Sequence, residues 1–293
     1  MTTHPLIDSV PLPGEQAALD QLFRLVRDRS GLDLTAYRSS TVTRRLSSRM
    51  QKLGCRDYLQ YYQRLAGDPE EFRELVAHLT VKVSRFFRDA RVFARLRTQV
   101  LPDLLRDRAD DLPLRFWSAG CGNGEEAYSL FLLGQTAAQE LDVSSSMVVY
   151  GTDVDEGALA EARRAVYRVE AFSETPPEVV VAHFSVRQGR FGPEYELLPV
   201  VRQGVTFLRH DLLSEAGPHG LSFDLILCRN VLIYLERPAQ ERVVTMLRDS
   251  LAPGGYLCLG EAEQLSRTQL PYFEVVDRRD GLYRKTSAVP GGR

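Results

Sequence analysis

The stretch Phe116-Trp-Ser-Ala-Gly-Cys-Gly-Asn-Gly-Glu-Glu-Ala-Tyr-Ser-Leu130 predicts the fold of this chain. An extended run, 114–119, leads into a turn with glycine at positions 120, 122 and 124, and a helical run, 125–141, follows it. Glycine lets a backbone turn sharply and approach a ligand closely, because it has no Cβ and tolerates positive φ. A strand, a glycine turn and a helix in this order are typical of the first unit of a nucleotide-binding α/β sheet.

The residues around this turn narrow the kind of ligand. The loop lacks the Gly-Lys-Ser/Thr ending that would grip a β- or γ-phosphate or Mg²⁺, and Glu125 and Glu126 stand where a helix N-terminus would receive a pyrophosphate. Negative charge at that place favours a ligand that is cationic or rich in hydroxyls. The loop therefore favours S-adenosylmethionine over NAD or ATP. A glycine turn that merely connects a strand to a helix is the alternative when the loop is read alone.

Composition excludes several classes of protein. The chain has 293 residues, 44% of them hydrophobic and 26% charged, and a net charge of -2, which is ordinary for a globular protein and argues against electrostatic nucleic-acid binding. No apolar run approaches the roughly 18 residues of a membrane span, and residues 1–14 do not resemble a signal peptide. The cysteines and histidines are scattered, without metal-ligand spacing. We expect a cytoplasmic protein that holds no metal, is not integral to a membrane and binds no nucleic acid.

The first 90 residues differ in pattern from the rest of the chain. Apolar residues recur there at helical spacing, glycines end the helical runs, and strand signals are absent from the sequence. We predict a helical N-terminal domain over residues 15–90. Its helices are expected at 41–53, 58–65 and 69–79, after a first helix that ends at Ser30-Gly31.

From Leu114 onwards, short apolar runs alternate with helical runs. The apolar runs have the length and composition of strands buried in a parallel sheet. The predicted strands are 114–119, 147–152, 205–208 and 223–228, and the predicted helices are 125–141, 156–167 and 238–251. This alternation predicts a doubly wound, Rossmann-like α/β sheet with right-handed crossovers, within a domain that we place at 91–287.

Two segments depart from the simple alternation. The connection 167–204 is too long for a link, and its glycines and alternating Tyr195 and Leu197 predict an inserted helix with a small antiparallel hairpin. We place this inserted β-subdomain at about 170–204. After the predicted strand 256–259, the runs 273–276 and 282–284 predict a hairpin at the sheet edge. The tail 288–293 is expected to be disordered.

Acidic residues follow two of the predicted strands. Asp153 ends the run 147–153, where an acid can accept hydrogen bonds from both ribose hydroxyls of an adenosine ligand. The alternative is a helix N-cap, since Asp153 and Asp155 precede a helical run; with the glycine loop upstream we favour ribose binding. His210-Asp211 follows the next strand and suits the adenine side, although Asp after a strand is also a common turn residue.

A third strand end carries candidates for substrate binding. The segment Asp224-Leu-Ile-Leu-Cys-Arg-Asn-Val-Leu-Ile-Tyr234 reads as a strand that ends in Arg229-Asn230, with Tyr234 a turn later. Side chains that leave the carboxyl end of a strand fall into the ligand crevice of an open α/β sheet. Arginine can clamp a carboxylate through two hydrogen bonds, and tyrosine can donate another. A structural arginine paired with a surface acid is the alternative.

Four blocks of sequence together resemble the chemotaxis receptor methyltransferases, the CheR family. The blocks are Val83-Ser-Arg-Phe-Phe-Arg-Asp89, Trp117–Ser129, Gly151-Thr-Asp-Val-Asp155 and Cys228-Arg-Asn-Val-Leu-Ile-Tyr234. The first and last are highly specific in combination, whereas the glycine loop alone would fit most class I methyltransferases. The resemblance covers nearly the whole chain. It implies a helical N-terminal domain, a class I methyltransferase sheet and a small β-subdomain inserted in it.

The resemblance also implies an activity and its residues. Such an enzyme uses S-adenosylmethionine to methyl-esterify glutamate side chains in the helical cytoplasmic part of chemoreceptors, leaving S-adenosylhomocysteine. Its catalytic residues would be Arg88, Arg229 and Tyr234. The implied cofactor-binding residues are Ser84, Phe87, Arg88, Gly120, Glu126, Asp153, Asp211, Leu212, Arg229 and Asn230. The family motif commonly reads Asn-x-Thr-x-Phe-Phe-Arg; here Ser84 keeps a hydroxyl in place of Thr, and Lys82 stands in place of Asn.

Methyl transfer to a carboxylate places few chemical demands on the protein. The acceptor is already ionised at neutral pH, so no strong general base is needed and catalysis should come mostly from positioning. We expect Arg88 and Tyr234 to orient the carboxylate and Arg229 to support the pocket. Because charge falls during the reaction, a dry pocket favours it, and a tight clamp on the anion would oppose it. Arg88 is therefore assigned orientation rather than activation.

The receptor would be recognised by the N-terminal helices. On the helix from about residue 38 to 53, four basic residues fall within a sector of about 60°, counted at 100° per residue. They are Arg38, Arg45, Arg49 and Lys52, beside an apolar stripe at positions 42, 46, 50 and 53. A positive ridge suits docking on an acidic helical bundle. An ordinary solvated helix face is the alternative.

Other functions stay open at this point. A class I methyltransferase of this shape can act on another protein or on a small molecule, and a non-catalytic signalling module can bind the cofactor or its product. An NAD-dependent enzyme is disfavoured by Glu125 and Glu126. We expect a monomer. The sequence leaves open which receptor and which glutamates are modified, and whether the β-subdomain binds a receptor C-terminal peptide.

Overall fold

The computed structural model describes residues 13–80, 84–106, 113–143, 146–214 and 216–286. The chain divides into two compact units. The first, which we call the helical unit, comprises Met1–Lys82 and Tyr234–Gln240; the second, the sheet unit, comprises Val83–Ile233 and Glu241–Arg293. The tail predicted at 288–293 lies outside the described residues, as does Lys82.

The described N-terminal residues of the helical unit form four α-helices, whose ends follow from local chemistry. The helices are α1 (Pro13–Ser30), α2 (Ser39–Leu53), α3 (Tyr58–Gly67) and α4 (Pro69–Leu79). Gly54 ends α2 in the left-handed conformation. Asp57 and Asp68 cap α3 and α4, because their carboxylates accept hydrogen bonds from N–H groups of the first turn. Helix α1 packs on α3 and α2 packs on α4, with Leu46 and Tyr61 fully buried.

The described part of the sheet unit contains ten strands in two sheets. The strands are β1 (Leu114–Ala119), β2 (Met147–Asp153), β3 (Val166–Tyr167), β4 (Phe184–Gly189), β5 (Gly192–Leu197), β6 (Val205–Arg209), β7 (Phe223–Cys228), β8 (Leu251–Leu259), β9 (Phe273–Asp277) and β10 (Leu282–Lys285). The large sheet has the order β6-β2-β1-β7-β8-β10-β9, parallel from β6 to β8 and antiparallel beyond. The small sheet, β3-β5-β4, is antiparallel. The predicted fold class is confirmed.

Two of the other described α-helices precede β1, and the rest connect successive strands. They are α5 (Ala90–Arg95), α6 (Leu101–Arg106), α7 (Glu125–Glu140), α8 (Glu156–Arg164), α9 (Pro177–His183), α10 (Pro199–Arg202) and α11 (Arg237–Ser250). A π-helical stretch, Leu96–Val100, joins α5 to α6. No element was predicted between 90 and 106, although apolar residues recur there at helical spacing, at positions 92, 93, 96, 100, 101, 104 and 105.

The start of the small sheet differs from the sequence-based prediction. A helix was predicted over 156–167, but α8 ends at Arg164 because Ala165 adopts the left-handed conformation with a φ of 52°. Val166–Tyr167 then forms β3, with Tyr167 opposite Tyr195 of β5. The small sheet therefore has a third strand that precedes the predicted hairpin.

The strand order places the candidate residues at one edge of the large sheet. Strands β1 and β7 are neighbours, and the chain continues from β1 towards β2 on one side and from β7 towards β8 on the other. Ligands of open α/β sheets bind outside the carboxyl ends of the strands at such a reversal. The glycine loop follows β1, Asp153 ends β2 and Arg229 follows β7, so all three lie at this edge.

Candidate active site

The glycine loop, residues 120–124, turns the chain from β1 into α7. Its three glycines all have positive φ: 77° at Gly120, 55° at Gly122 and 91° at Gly124. A Cβ at Gly120 would lie 2.6 Å from a methyl of Val231, and one at Gly124 would lie 2.9 Å from the Cβ of Ala162. A Cβ at Gly122 would meet nothing within 4 Å. Packing therefore accounts for two of the glycines, while the third leaves backbone open to close approach by a ligand.

Asp153 is tied to the glycine loop rather than to the helix that follows it. Its Oδ2 accepts a hydrogen bond of 2.9 Å from the Gly122 N–H, and its Oδ1 accepts one of 3.0 Å from the Asp155 N–H. The N-cap of α8 is Asp155, which accepts from two N–H groups of the first turn. Asp153 thus lies at the end of β2 beside the glycine loop, the place of the ribose-binding acid in dinucleotide-binding folds.

Two acidic side chains at the start of α7 border the loop. Glu125 is buried, its Oε2 has no hydrogen-bond partner among the described residues, and burial raises its pKa to about 7. Glu126 accepts a hydrogen bond of 2.8 Å from the Ser118 hydroxyl. Burial raises the pKa of Glu126, although the charge of Arg229 opposes the rise. A buried, unpartnered carboxylate oxygen and a second acid fit a ligand that brings positive charge or hydrogen-bond donors, and they disfavour a pyrophosphate.

Arg229 lies at the centre of the ion pairs in this region. Its side chain is only 1% exposed. Its Nη1 donates to Oε2 of Glu126 and to the carbonyl oxygen of Arg88, both at 3.2 Å, and its Nη2 pairs with the carboxylate of Asp89. Burial alone would lower the pKa of Arg229, but chiefly the charge of Glu126, with that of Asp89, raises it. Arg229 therefore joins the start of α7 to the segment that carries Arg88.

That segment, residues 84–89, is called here the 84–89 loop. Interaction with Ser84 opposes the rise in the pKa of Glu125, and the N–H of Phe87 donates to the Ser129 hydroxyl at 2.9 Å. Arg88 is partly exposed, and its charge contributes to holding down the pKa of Glu126. The loop thus brings Ser84, Phe87 and Arg88 to the same edge as the glycine loop.

The remaining candidates in the sheet unit lie on neighbouring strand ends. Asn230 has a φ of 60°, and its N–H donates to Oε2 of Glu263 at 2.9 Å. Asp211 accepts a hydrogen bond from the Leu213 N–H at 2.9 Å and so forms the turn that follows β6. The N–H of His210 donates to the carbonyl oxygen of Asp153, which places Asp211 and the adjacent Leu212 beside the end of β2.

Tyr234 lies in a different part of the structure from the other predicted catalytic residues. It begins the segment Tyr234–Gln240 of the helical unit, whereas Arg88 and Arg229 belong to the sheet unit. Its carbonyl oxygen accepts a hydrogen bond of 2.9 Å from the N–H of Arg38.

Two residues at this edge were missed by sequence reasoning. Asp89 pairs with Arg229, and Glu263 accepts hydrogen bonds from the N–H groups of Asn230, Ile233 and Gly260. The sequence could have indicated Asp89, because it follows Arg88 in the first of the blocks that resemble the CheR family. The signal for Glu263 was an acid shortly after the carboxyl end of a buried strand, β8.

The predicted basic ridge on α2 is only partly present. Arg49 is buried at 7% exposure and forms two hydrogen bonds to the carboxylate of Glu71, at 2.8 and 2.6 Å. The prediction that Arg49 projects towards a receptor is therefore wrong. Arg49 follows Leu46 by three residues, so it shares the inward face of the helix, and Glu71 of α4 matches its forked donor geometry.

The other three basic residues of the ridge differ in exposure. Arg45 is partly buried, and its guanidinium donates to the carbonyl oxygen of His78. Arg38 and Lys52 are exposed, as is Arg44, which lies outside the predicted sector.

The described residues were also searched for membrane-spanning helices, metal-binding clusters and reactive thiols. In that part of the chain, no helix combines the length and apolarity needed to span a bilayer, and no group of three or more His, Cys, Asp or Glu side chains could hold a metal ion. The cysteines at 55, 121, 228 and 258 are buried and unpaired. Burial raises the pKa of the thiols of Cys121, Cys228 and Cys258, which makes them poor nucleophiles.

The parallel sheet, the glycine loop after β1 and the acid at the end of β2 define the class as a Rossmann-like nucleotide-binding domain with the layout of class I methyltransferases. The chain matches a family model described as "CheR methyltransferase, SAM binding domain" over residues 82–281, and one described as "CheR methyltransferase, all-alpha domain" over residues 17–80. The chain belongs to the CheR methyltransferase family.

Relatives in several bacteria agree with this membership. A chemotaxis protein methyltransferase of Listeria innocua is 33% identical over 83% of this chain and 88% of the relative. A probable biofilm formation methyltransferase, WspC, of Pseudomonas aeruginosa is 32% identical over 93% of this chain and 63% of the relative. An uncharacterized 104.1 kDa protein of Rhodobacter capsulatus is 31% identical over 91% of this chain, which spans only 27% of that protein.

The predicted family, cofactor and enzyme class are thereby confirmed. The family models and relatives identify a methyltransferase of the S-adenosylmethionine-dependent, protein-modifying class. The buried acids and the open backbone at Gly122 fit that cofactor.

Proposed function

We propose that this chain transfers the methyl group of S-adenosylmethionine to glutamate side-chain carboxylates of chemoreceptors in the cytoplasm. The products would be glutamate methyl esters and S-adenosylhomocysteine. The observation that carries the proposal is the contrast between two arginines at one edge of the sheet. Arg229 is buried and held by Glu126 and Asp89, whereas Arg88 is partly exposed beside the same acids. A partly exposed arginine next to the cofactor site suits an anionic acceptor such as a carboxylate.

The sheet unit supplies the residues that would hold the cofactor. Asp153 would accept hydrogen bonds from the ribose hydroxyls, and the backbone at Gly122 would allow close approach. Glu126 would face the positive end of the ligand, and Asp211 with Leu212 would border the adenine. When bound, S-adenosylmethionine supplies an electrophilic methyl group on a sulfonium centre.

The remaining work of the protein is to position the acceptor. A glutamate carboxylate is ionised at neutral pH, so the chain needs no general base to activate it. Arg88 would orient the carboxylate, and a single partly exposed guanidinium would do so without over-stabilising the anion. Arg229 would act through its hydrogen bonds, because its two Nη atoms fix the carbonyl oxygen of Arg88 and the carboxylate of Asp89. The role of Tyr234 as a second orienting group rests on the family motif alone.

Receptor docking would use the exposed basic side chains of α2. Arg38, Arg44 and Lys52 are exposed, and they would meet an acidic helical surface. The burial of Arg49 removes the centre of the predicted ridge and reduces the number of charges that can act. Docking of this kind is expected to depend on salt, because exposed charges are screened.

A transfer assay tests the proposal. The protein is incubated with methyl-labelled S-adenosylmethionine and the cytoplasmic domain of each methyl-accepting receptor of the host; the biofilm-related name of one relative is a reason to test every receptor. We expect label that is released by mild base, as methyl esters are, and that is lost when the modified glutamates are replaced by alanine. Base-stable label, or label only on other proteins or small molecules, would favour a different methyltransferase. No transfer together with tight binding of S-adenosylhomocysteine would favour a signalling module.

A further inference from the structure

The 84–89 loop is held from two sides by residues that have no assigned role in cofactor or substrate binding. On one side, the Ser129 hydroxyl accepts from the Phe87 N–H at 2.9 Å and donates to the carbonyl oxygen of Glu125 at 2.6 Å. On the other side, Oε2 of Glu174 accepts from the Asp89 N–H at 2.7 Å. Ser129 belongs to α7 and is fully buried, and Glu174 belongs to the connection between β3 and α9.

The backbone that these residues hold is unfavourable by itself. Phe87 and Asp89 have φ values of 55° and 63°, in the left-handed region that non-glycine residues seldom adopt. Such a conformation persists only where surrounding contacts over-determine it, and it is often found at functional sites. Ser129 and Glu174 each bond directly to the N–H of one of these two residues.

The conformation of the loop sets the position of both arginines. The carbonyl oxygen of Arg88 and the carboxylate of Asp89 are both bonded to the guanidinium of Arg229, which also pairs with Glu126. If the turn at 87–89 relaxed, the side chain of Arg88 would move and Arg229 would lose two of its partners. Small displacements of positioning groups can lower turnover by up to about a hundredfold.

We propose that Ser129 and Glu174 are positioning residues for methyl transfer. They hold the left-handed turn at 87–89 through hydrogen bonds to the N–H groups of Phe87 and Asp89, and this keeps Arg88 and Arg229 in place beside Glu126. The effect on turnover rests on the proposed function, whereas the effect on the loop rests on its geometry.

The first test replaces Ser129. We expect S129A to lower kcat by roughly tenfold or more, with a smaller change in the affinity for S-adenosylmethionine. The matched control is T136A, because Thr136 makes the same bond to the carbonyl oxygen four residues earlier, two turns further along α7. T136A should keep kcat within about twofold of the parent protein. Equal effects of S129A and T136A would overturn the assignment of Ser129.

The second test separates two roles of Glu174. Its Oε1 lies 3.1 Å from Arg85, an ion pair that E174Q removes, while the amide oxygen of glutamine can still accept from the Asp89 N–H. We expect E174A to lower kcat and E174Q to stay close to the parent protein. A loss in E174Q as large as that in E174A would overturn the role assigned to the Asp89 contact.

A readout that does not need activity keeps this inference separate from the proposed function. Amide hydrogen exchange in the peptide 84–89 should be faster in S129A and E174A than in the parent protein and T136A. If the parent protein methylates no receptor, the proposed function fails, while faster exchange still identifies what holds the loop. The proposal would be overturned if amide exchange were unchanged in both variants. It would also be overturned if a smaller fraction of folded protein fully accounted for the fall in kcat.

Discussion

Arg88 and Arg229 show how the surroundings of a residue decide which role it can take. Both were candidates for binding a carboxylate, because arginine pairs well with one. In the structure, Arg229 is buried, and both of its Nη atoms are already paired, with two acids and a carbonyl oxygen. Arg88 is partly exposed, and it is the arginine that we propose for the acceptor carboxylate.

This contrast leads to a first prediction at the scale of the residue. R88A should lower kcat by about two orders of magnitude, because the acceptor carboxylate loses its orienting partner, while cofactor affinity changes less. Single-turnover methylation and cofactor titration measure the two effects. The control is R97A, which removes a surface ion pair with Glu140 whose side chains are 48% and 44% exposed. Near-normal turnover of R88A would remove Arg88 from the mechanism.

Glu125 gives a second prediction, on stability and pH. Its pKa in the folded protein is about 7, raised by burial from 4.5. Between pH 4.5 and 7, the folded state therefore binds more protons than the unfolded state, and the free energy of unfolding falls as pH rises. The stabilisation contributed by protonated Glu125 is full below pH 4.5 and is lost as pH rises through 7. E125Q does not titrate, and its stability relative to the parent protein should increase by up to about 3 kcal/mol between pH 4.5 and 8.

Urea unfolding of the cofactor-free protein at several pH values measures this difference. The control is E178Q, which replaces an exposed glutamate at the start of α9. The pH dependence that E125Q shows beyond that of E178Q is assigned to Glu125. A pH dependence of E125Q no larger than that of E178Q would show that Glu125 is ionised in the folded state.

At the scale of the element, α2 shows why helical periodicity alone misplaces a charged residue. The apolar stripe at Val42, Leu46 and Met50 identifies the buried face, and Arg49 borders it. Whether such an arginine turns to solvent or inwards depends on its partner, and Glu71 lies on a different helix. Tyr61 donates a third hydrogen bond to the same carboxylate, so the network joins three helices. The sequence of α2 contains no signal for these partners.

This network carries the third prediction. R49A should lower the free energy of unfolding by about 3–5 kcal/mol, because it leaves the carboxylate of Glu71 buried without its ion-pair partner. The double variant R49M/E71M should recover most of that loss, since it removes both charges and refills the space. Urea unfolding of the parent protein and both variants checks this. Equal destabilisation by R49A and R49M/E71M would contradict the explanation.

The exposed face of α2 carries the fourth prediction. R44E/K52E should reduce kcat/KM for receptor methylation several-fold at low salt, with the difference shrinking as salt rises, because exposed charges act mainly on association. The melting temperature should change little. The control R24E/R27E makes the same change of net charge on exposed positions of α1. Equal losses in both double variants would indicate a general charge effect rather than docking by α2.

At the scale of the whole molecule, the parts predicted from sequence are those in which local pattern and burial agree. Strands β1, β2 and β7 are mostly apolar and mostly buried, and glycines mark the turn after β1, so the sequence predicted where these strands begin and end. The strand β3 and the inward turn of Arg49, in contrast, depend on partners distant in sequence. Such partners have no local signature, and the same holds for the ion pairs between Asp89, Glu126 and Arg229.

The choice of cofactor gives the last prediction, because a ligand that binds only the folded state stabilises the entire domain. S-adenosylmethionine or S-adenosylhomocysteine at about 100 times its Kd should add about 2.7 kcal/mol to the free energy of unfolding and raise the melting temperature. NAD and ATP should add almost nothing, since Glu125 and Glu126 oppose a pyrophosphate at the start of α7. D153N, which keeps an acceptor oxygen for the Gly122 N–H, should weaken the effect of S-adenosylmethionine because it loses the charge that would hold the ribose. Thermal unfolding with each ligand measures these shifts, and an equal shift with NAD would contradict the cofactor assignment made from the acids at this edge.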